Sequence, residues 1–504
     1  ALHRAARSAA GLAVNAVVLA IVVTPAAVAI ATWWTPVGLS KMLTVAGGIA
    51  TFVLALSLVP TATAHTSVAA GPAFRADALS IVFLVPTAFL YATTAIFATG
   101  YLHLPDDGAT GRRYGRRFFA GMNLFCWAMA VAPLVNGLAL LWVAIEVTTV
   151  VSALLVAIDD TDGATEAAWK YLLIASLGLG IGLLATVMMY YAGSKVFGAS
   201  YDLSYNKLLG GAHGFPKEVV RLADVLAVLG FGTKMGLVPV HTWLPDAHSE
   251  APTPISALLS GALLATSFYA ILRFFEVSVR CLGPSYPRTV LLVFGLASLV
   301  LAALYLLSQR DLKRLLAYSS VEHMGILAIG MSFSAPVAIV GVLLHVIAHA
   351  AAKGTAFFGA GSILRKFKTK DMARMRGGVG LLPWSGPMVV LAVLALSAMP
   401  PFGIFRSEFL IVSGGLSDPE DAVAALLVVL VTLAFFGLSW FTTETMLTPL
   451  PERDALRLGR GETSSLIVVA MLLGLAGLVV LGVHVPGQLS ELLHRAATQL
   501  EARR

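Results

Sequence analysis

The sequence predicts an all-α integral membrane protein of about fourteen spanning helices, two of them broken, and three features carry that prediction. Of 504 residues, 58% are hydrophobic and only 12% are charged, with a mean hydropathy of +0.86. So few charges do not cover a water-exposed globule of this size, and the solvent must be largely lipid. Apolar runs of spanning length follow one another almost without interruption. Within several of them stands a charged side chain that a bilayer interior tolerates poorly, twice beside a helix-breaking proline.

With about 20 apolar residues per crossing, the candidate spans fall near 11–32, 39–60, 78–100, 117–134, 136–158 and 167–191. They continue near 222–240, 251–279, 288–308, 316–334, 337–361, 385–411, 421–445 and 464–484. The first reads as a retained helix, because no small-residue cleavage pattern followed by a soluble domain accompanies it. Residues 487–504 are expected as a short amphipathic tail on the membrane surface. No loop is long enough for an independent soluble domain.

The net charge of +7 would fit nucleic acid only if the basic residues lined one surface, but they fall in short clusters between apolar runs, as topology signals do. Loops after odd-numbered spans hold Arg112, Arg113, Arg116, Arg117, Arg310, Lys313, Arg314, Lys366, Lys368, Lys370, Arg374, Arg376, Arg453, Arg457 and Arg460. Loops after even-numbered spans are poorer, with Arg75, Lys195, Lys207, Lys217, Arg280 and Arg288. The positive-inside rule then places the odd-span loops in the cytoplasm and both termini outside a bacterial or archaeal cytoplasmic membrane. Arg4, Arg7, Arg503 and Arg504 argue mildly the other way. The two cysteines, Cys126 and Cys281, are too few for an iron–sulfur or zinc centre, so neither a metal nor a redox cofactor is expected in this chain.

Ionisable residues within spans are functional candidates by default, since each is costly unless paired or hydrated. The run LLWVAIEVTTVVSALL carries Glu146, with Thr148, Thr149 and Ser152 as hydroxyl partners. LAVLGFGTKMGLVPVHTWLP carries Lys234 between Gly232 and Gly236, just before Pro239. LLHVIAHAAAKGTAFF carries His345, His349 and Lys353 at i, i+4 and i+8, one helix face over about 12 Å of rise. ALSAMPPFGIFRSEFLIV carries Glu408 after Pro400 and Pro401.

Proline inside a span removes a backbone hydrogen bond, so breaks are expected at Pro239 and at Pro400/Pro401, with the freed groups lining hydrated cavities. Similarly broken helices 7 and 12, five apart, suggest two inverted repeats, helices 4–8 and 9–13. The chain then divides into residues 1–110, 111–280, 281–446 and 447–504. Buried Glu, Lys and His whose proton affinities approach one another make a chain that takes and releases protons, and a Glu146/Lys234 pair would act as a charge-gated switch. Arg406 reads as a structural or tuning charge beside Glu408. His241, Asp246, His248 and Glu250 are uptake or tuning candidates; for the last three a polar surface loop is the plainer reading. Glu322 and His323 stand between a relay role and local polar contacts.

The stretch FGTKMGLVPVHTWLPDAHSEAPTPISALLSG closely resembles the signature of the antiporter-like, proton-translocating subunits of respiratory complex I, multisubunit cation/proton antiporters and membrane-bound hydrogenases. DLKRLLAYSSVEHMG resembles the same family's second repeat, and VEHMG, IEVTTVVSALL and EAAWKYLLIASLG are most similar to hydrogenase-4 component F. The resemblance implies a fourteen-helix fold with inverted five-helix repeats. It assigns Glu146 and Lys234 to the helix-5 and helix-7 positions, His345, His349 and Lys353 to the central helix 11, and Glu408 to the helix-12 exit. One departure stands out: Ala265 occupies the place of a bridging helix-8 lysine, so the link must run through water, helped by Thr266 or Ser267, or be weaker. The implied function is a proton-pumping, non-catalytic subunit of a redox-driven complex, with other membrane subunits and a peripheral redox arm as partners. A multisubunit cation/proton antiporter, an ion-coupled inorganic-carbon transporter or a non-conducting anchor are the rival readings.

Overall fold

A computed structural model describes residues 2–64, 67–102, 108–333, 335–417, 421–451 and 456–501, with the side chains of the first helix described from residue 14. Of the topology signals, Arg453, Arg503 and Arg504 and the side chains of Arg4 and Arg7 lie outside the described residues. The chain opens with α1 (Leu2–Trp34), α2 (Val37–Ser57) and the short α3 (Val59–Ala64). A hairpin follows, β1 (Ser67–Ala70) antiparallel to β2 (Phe74–Asp77), with Ser67 opposite Asp77. Next come α4 (Ala78–Tyr101), α5 (Ala109–Val131), α6 (Leu138–Val156), α7 (Asp162–Phe197) and the short α8 (Tyr205–Gly211).

The first expected break lies between α9 (Lys217–Met235) and α10 (Trp243–Glu250). α11 (Thr253–Leu258) runs through a π-wound turn, Leu259–Leu263, into α12 (Leu264–Leu282). α13 (Ser285–Leu306), α14 (Leu312–Ser332), the long α15 (Pro336–Phe367) and α16 (Gly378–Leu381) lead to the second break, between α17 (Ser385–Leu396) and α18 (Gly403–Leu416). The chain closes with α19 (Asp421–Phe441), α20 (Ser465–Val483) and α21 (Gly487–Leu500).

Eleven helices among the described residues are long and apolar enough to cross a membrane. The expected spans near 222–240 and 385–411 fall on the interrupted pairs α9/α10 and α17/α18, and that near 316–334 on α14 with its Glu322 and His323. Local chemistry sets the ends. Asp77 caps α4 by accepting from the Ser80 amide at 2.9 Å, and Asp311 caps α14 through Arg314 at 2.9 Å. Gly236, in the left-handed region at φ 88°, closes α9.

Burial sorts the spans into a centre and a rim. In the most apolar 18-residue stretch of Thr253–Leu282 every residue is buried, and in that of Pro336–Phe367 94% are, against 22% for Val14–Trp34. The most enclosed helices are therefore those that carry the π-turn and the His345/His349/Lys353 row. Glycines let neighbours approach: a Cβ on Gly230 of α9 would stand 2.7 Å from the Gly182 Cα of α7.

The basic segments meet on one face. Lys41 donates to Leu102 O at 3.0 Å, Arg365 to Tyr101 O at 2.7 Å, Lys366 to Gly461 O at 3.1 Å, and the Met372 amide to Arg310 O at 2.9 Å. Two expectations need correction there. Arg112, Arg113, Arg116 and Arg117 lie on the first turns of α5 rather than in a loop, and Lys313 is buried, donating to Ser249 O at 3.3 Å and to Ala251 O. On the opposite face the hairpin meets α8 through Arg75 and Asn206 at 2.9 Å. There α21, amphipathic as expected, buries Leu492, Leu493, Ala496, Ala497 and Leu500 and bonds the Leu79 amide through Gln499 at 3.2 Å.

Candidate functional site

Lys234 sits on the last turn of α9 with no exposed surface. Its ammonium donates to Thr149 Oγ1 of α6 at 2.9 Å and to the Tyr171 hydroxyl of α7. Tyr171 shares a 2.7 Å hydrogen bond with Ser152 and packs on Trp243, ring centroids 4.5 Å apart. Lys234 Nζ also stands 4.6 Å from the centre of the Tyr171 ring. The expected direct pair with Glu146 is not formed: one carboxylate oxygen of Glu146 accepts from Ser176 at 3.3 Å and the other has no partner. Thr149 lies one turn beyond Glu146 on α6 and presents its hydroxyl to the lysine instead. Two hydroxyls thus hold the charge, with the carboxylate behind them.

The break in this span is better satisfied than expected. The Thr233 carbonyl accepts from Trp243 Nε1 at 2.7 Å, and the Val238 amide donates to Ser298 at 2.9 Å. Side chains, rather than a hydrated cavity, take these two freed backbone groups.

The second cluster gathers around α15, where His345, His349 and Lys353 are each 0% exposed. His323 of α14 joins it, with Nδ1 3.1 Å from His345 Nε2 and its ring 5.2 Å from that of His349. His345 Nδ1 lies 3.0 Å from Ser407 Oγ, and the Ser407 hydroxyl donates to Ile404 O at 2.8 Å. Those bonds fix the tautomers of neutral rings. Ser407 has spent its one proton, so it accepts from His345 Nδ1–H; His345 Nε2 then accepts from His323 Nδ1–H, which leaves a lone pair on His323 Nε2. That nitrogen has no partner. Glu408 Oε1, also unpartnered, stands 3.8 Å from His323 Nδ1. Lys353 donates to Leu316 O at 3.0 Å and to Ser319, and lies within electrostatic reach of the buried Glu322.

By donor type, His323, His345 and Glu408 suit a divalent cation, their ligand atoms lying within 4.8 Å of one another. The 3.1 Å His323–His345 contact is nonetheless a hydrogen bond that holds a proton where a metal would need a lone pair. Arg406, expected beside Glu408, forms no ion pair with it among the described residues. Two positions apart on a helix, their side chains do not face each other.

Between the clusters the expected helpers turn away, since Thr266 donates to Ala262 O at 2.9 Å and Ser267 to Leu263 O at 3.3 Å, both on their own helix. Ser260 of the π-turn is bonded instead to Ser320 of α14 at 2.7 Å. His248 is fully buried against Phe357 with both ring nitrogens unpartnered, within electrostatic reach of Lys313 and Lys353. His241 is buried with Nδ1 unpartnered. On the basic face Asp246 meets Arg314 at 2.5 Å and Lys170 at 3.5 Å, while Glu250 meets Lys370 at 2.8 Å. The three loop candidates thus divide: the carboxylates are ion-paired at the surface and the histidine is interior.

A third charged group escaped the sequence reading. At the hairpin face Arg273 of α12, 1% exposed, donates to Asp77 at 2.6 Å, to Glu276 at 3.1 Å and to the Tyr269 hydroxyl at 2.9 Å. Burial by itself raises the affinity of Asp77 for its proton, but Arg273 and Arg75 outweigh it and hold the carboxyl down at about 2. Asp77 precedes an apolar run and reads as an ordinary helix flank, whereas Arg273 lies within the expected span near 251–279 and escapes notice there.

Helices enclosing two clusters of proton-exchanging side chains, buried except for a half-buried Glu146, define an ion-translocating polytopic membrane protein. The family model described as NADH:quinone oxidoreductase/Mrp antiporter, transmembrane, matches residues 135–437, and the chain belongs to that family. It is 36% identical over 369 residues to the hydrogenase-4 component F homolog of Methylacidiphilum infernorum, covering 72% of this chain and 76% of that protein. It is 30% identical over 348 residues to hydrogenase-4 component B of Escherichia coli, covering 66% of this chain and 50% of that one. Among solved structures, the Mrp complex from Dietzia sp. contains a chain matching at TM-score 0.83 and 20% identity, covering 98% of both. Respiratory complex I from Thermus thermophilus contains one at 0.78 and 23%, covering 96% of this chain and 99% of that one. These two likenesses concern the fold.

Proposed function

We propose that this chain is the proton-translocating subunit of a redox-driven membrane complex of the hydrogenase-4 and complex I kind, and that the two buried clusters are its track. The observation that carries the reading is the His323–His345–Ser407 chain, which leaves an unpartnered lone pair on one side of His323 and Glu408 on the other. A proton arriving at His323 Nε2 is matched by release of the Nδ1 proton along its hydrogen bond to His345 Nε2, while Glu408, 3.8 Å from Nδ1, stabilises the imidazolium formed in between. Upstream, Glu146, Lys234 and Tyr171 form the switch, and His241 and His248 connect it to Lys353 and Glu322 with water across Ala265. Asp246 and Glu250, on the basic face, gather protons.

The two breaks support inverted repeats at 111–280 and 281–446, since α5 opens at the basic face and α13 at the hairpin face. The basic face is then cytoplasmic, with both termini outside. Electrons move in partner subunits, a peripheral redox arm among them, and neighbouring membrane subunits flank this chain, which itself carries no redox cofactor.

The test is proton uptake by the reconstituted complex in sodium-free buffer, with wild-type chain and with Lys353→Ala. The track predicts a pH gradient in the wild type and its loss or strong reduction in the variant. A wild-type gradient that requires added sodium would favour the cation antiporter reading instead.

A further inference from the structure

Most of the outward surface of the bundle is plain apolar helix, as lipid contact requires. One stretch near the basic face differs. Between α1, α5 and α6 runs a groove of about 780 Å3, with Trp33, Trp34 and Trp127 around it, Gly121 and Leu154 on its walls, and Arg117 at its end. Gly121 lets α5 and α6 close up along its floor: an added Cβ would meet Leu155 at 2.9 Å. Trp127 is fixed in place by its Nε1–H bond to Val22 O at 2.9 Å, while Trp33 and Trp34 stand 47% and 76% exposed.

The charge at the mouth selects an occupant. Arg112, Arg113, Arg116 and Arg117 are all exposed, and none has a carboxylate at ion-pair distance among the described residues. Arg113 and Arg117 are four apart, so they continue the α5 stripe whose next turn holds Gly121. Asp160 lines the same mouth but leaves an excess of guanidinium. Indole rings at the headgroup level, cations beside them and an apolar trough running inward are the complement of a lipid with a negative head. A neighbouring subunit's helix would fill the trough but bring no phosphate to the arginines, and a zwitterionic lipid brings its own ammonium.

We infer that this groove is a binding site for an anionic phospholipid of the basic-face leaflet, its phosphate held by Arg113 and Arg117 and an acyl chain laid along Gly121 between the tryptophans. The site is separate from the proton track and does not depend on it.

The test is native mass spectrometry of the purified complex titrated with phosphatidylglycerol and with phosphatidylcholine. About 1 kcal/mol per basic residue near the headgroup corresponds to roughly fivefold in affinity, so Arg113→Gln with Arg117→Gln should lower phosphatidylglycerol retention about 25-fold. Phosphatidylcholine retention should change little. Leu154→Trp, which puts a larger side chain on the exposed wall of the trough and leaves the arginines, should weaken both lipids. The substituted arginines are exposed, so the fold does not depend on them. Equal retention of the two lipids by the wild type, or a preference unchanged in the double variant, overturns the proposal. So does a photo-cross-linker at position 154 that captures a neighbouring polypeptide instead of lipid in the assembled complex.

Discussion

Tyr171→Phe removes one oxygen and keeps nearly everything else. The ring still packs on Trp243 at 4.5 Å and still presents its face to Lys234 at 4.6 Å. What is lost is the acceptor for the Lys234 ammonium and the partner of Ser152. A hydrogen bond to a charged group is worth about 1.5–3 kcal/mol, and each ~1.4 kcal/mol is tenfold in rate. If protonated Lys234 is an intermediate of transfer, the variant should translocate protons about tenfold to a hundredfold more slowly. The assay is fluorescence quenching of a pH-sensitive dye in proteoliposomes holding the assembled complex, with turnover of the complex followed in parallel. A variant that acidifies within twofold of wild type at equal turnover would show that the hydroxyl does not hold the transferring charge.

Ser407→Ala leaves His345 Nδ1–H without its acceptor, at a penalty of about 1–3 kcal/mol, and frees the tautomers of both rings; translocation should slow by roughly tenfold, whereas Ser407→Thr should restore it. Asp77→Asn uncouples Arg273 from its carboxylate, and breaking such a buried pair costs about 3–5 kcal/mol, read as a lowered melting temperature in detergent. A carboxyl held at about 2 stabilises the fold above its unfolded value near 4, and that stabilisation fades as pH falls through about 2. The melting decrement of Asp77→Asn should therefore be the same at pH 5 and pH 8. Gly230→Ala drives a methyl against the Gly182 backbone, destabilises by about 1–3 kcal/mol and should displace Lys234 with α9. Asp246→Asn removes two partly exposed ion pairs, to Arg314 and Lys170, each worth at most about 1 kcal/mol, so its melting temperature should fall little while translocation falls, if that carboxylate gathers protons.

The helices were legible because lipid imposes length and apolarity on every span, and the proline breaks because a missing amide leaves a mark in the sequence. The His345/His349/Lys353 face followed from helical spacing alone. Tertiary pairings were not legible. Tyr171 lies in an apolar run where a tyrosine reads as packing, and only the approach of α7 to α9 turns its hydroxyl to Lys234. Asp77 and Arg273 are 196 positions apart; Asp77 resembles a helix flank, and Arg273, although inside an expected span, has no partner nearby in sequence that would mark the pair. Lys313 and Arg406 erred in opposite directions: a lysine in a basic run proved interior, and an arginine near a buried carboxylate faced elsewhere. Side-chain partners at a break cannot be read from the residue that causes it, so Trp243 and Ser298 stood unassigned.

In the proposed track every proton passes Lys234. Protons translocated per electron pair, measured for the reconstituted complex with wild-type chain and with Lys234→Ala, test it most directly. The ratio should fall in the variant by the whole contribution of this subunit; an unchanged ratio at unchanged turnover would mean that protons take another route.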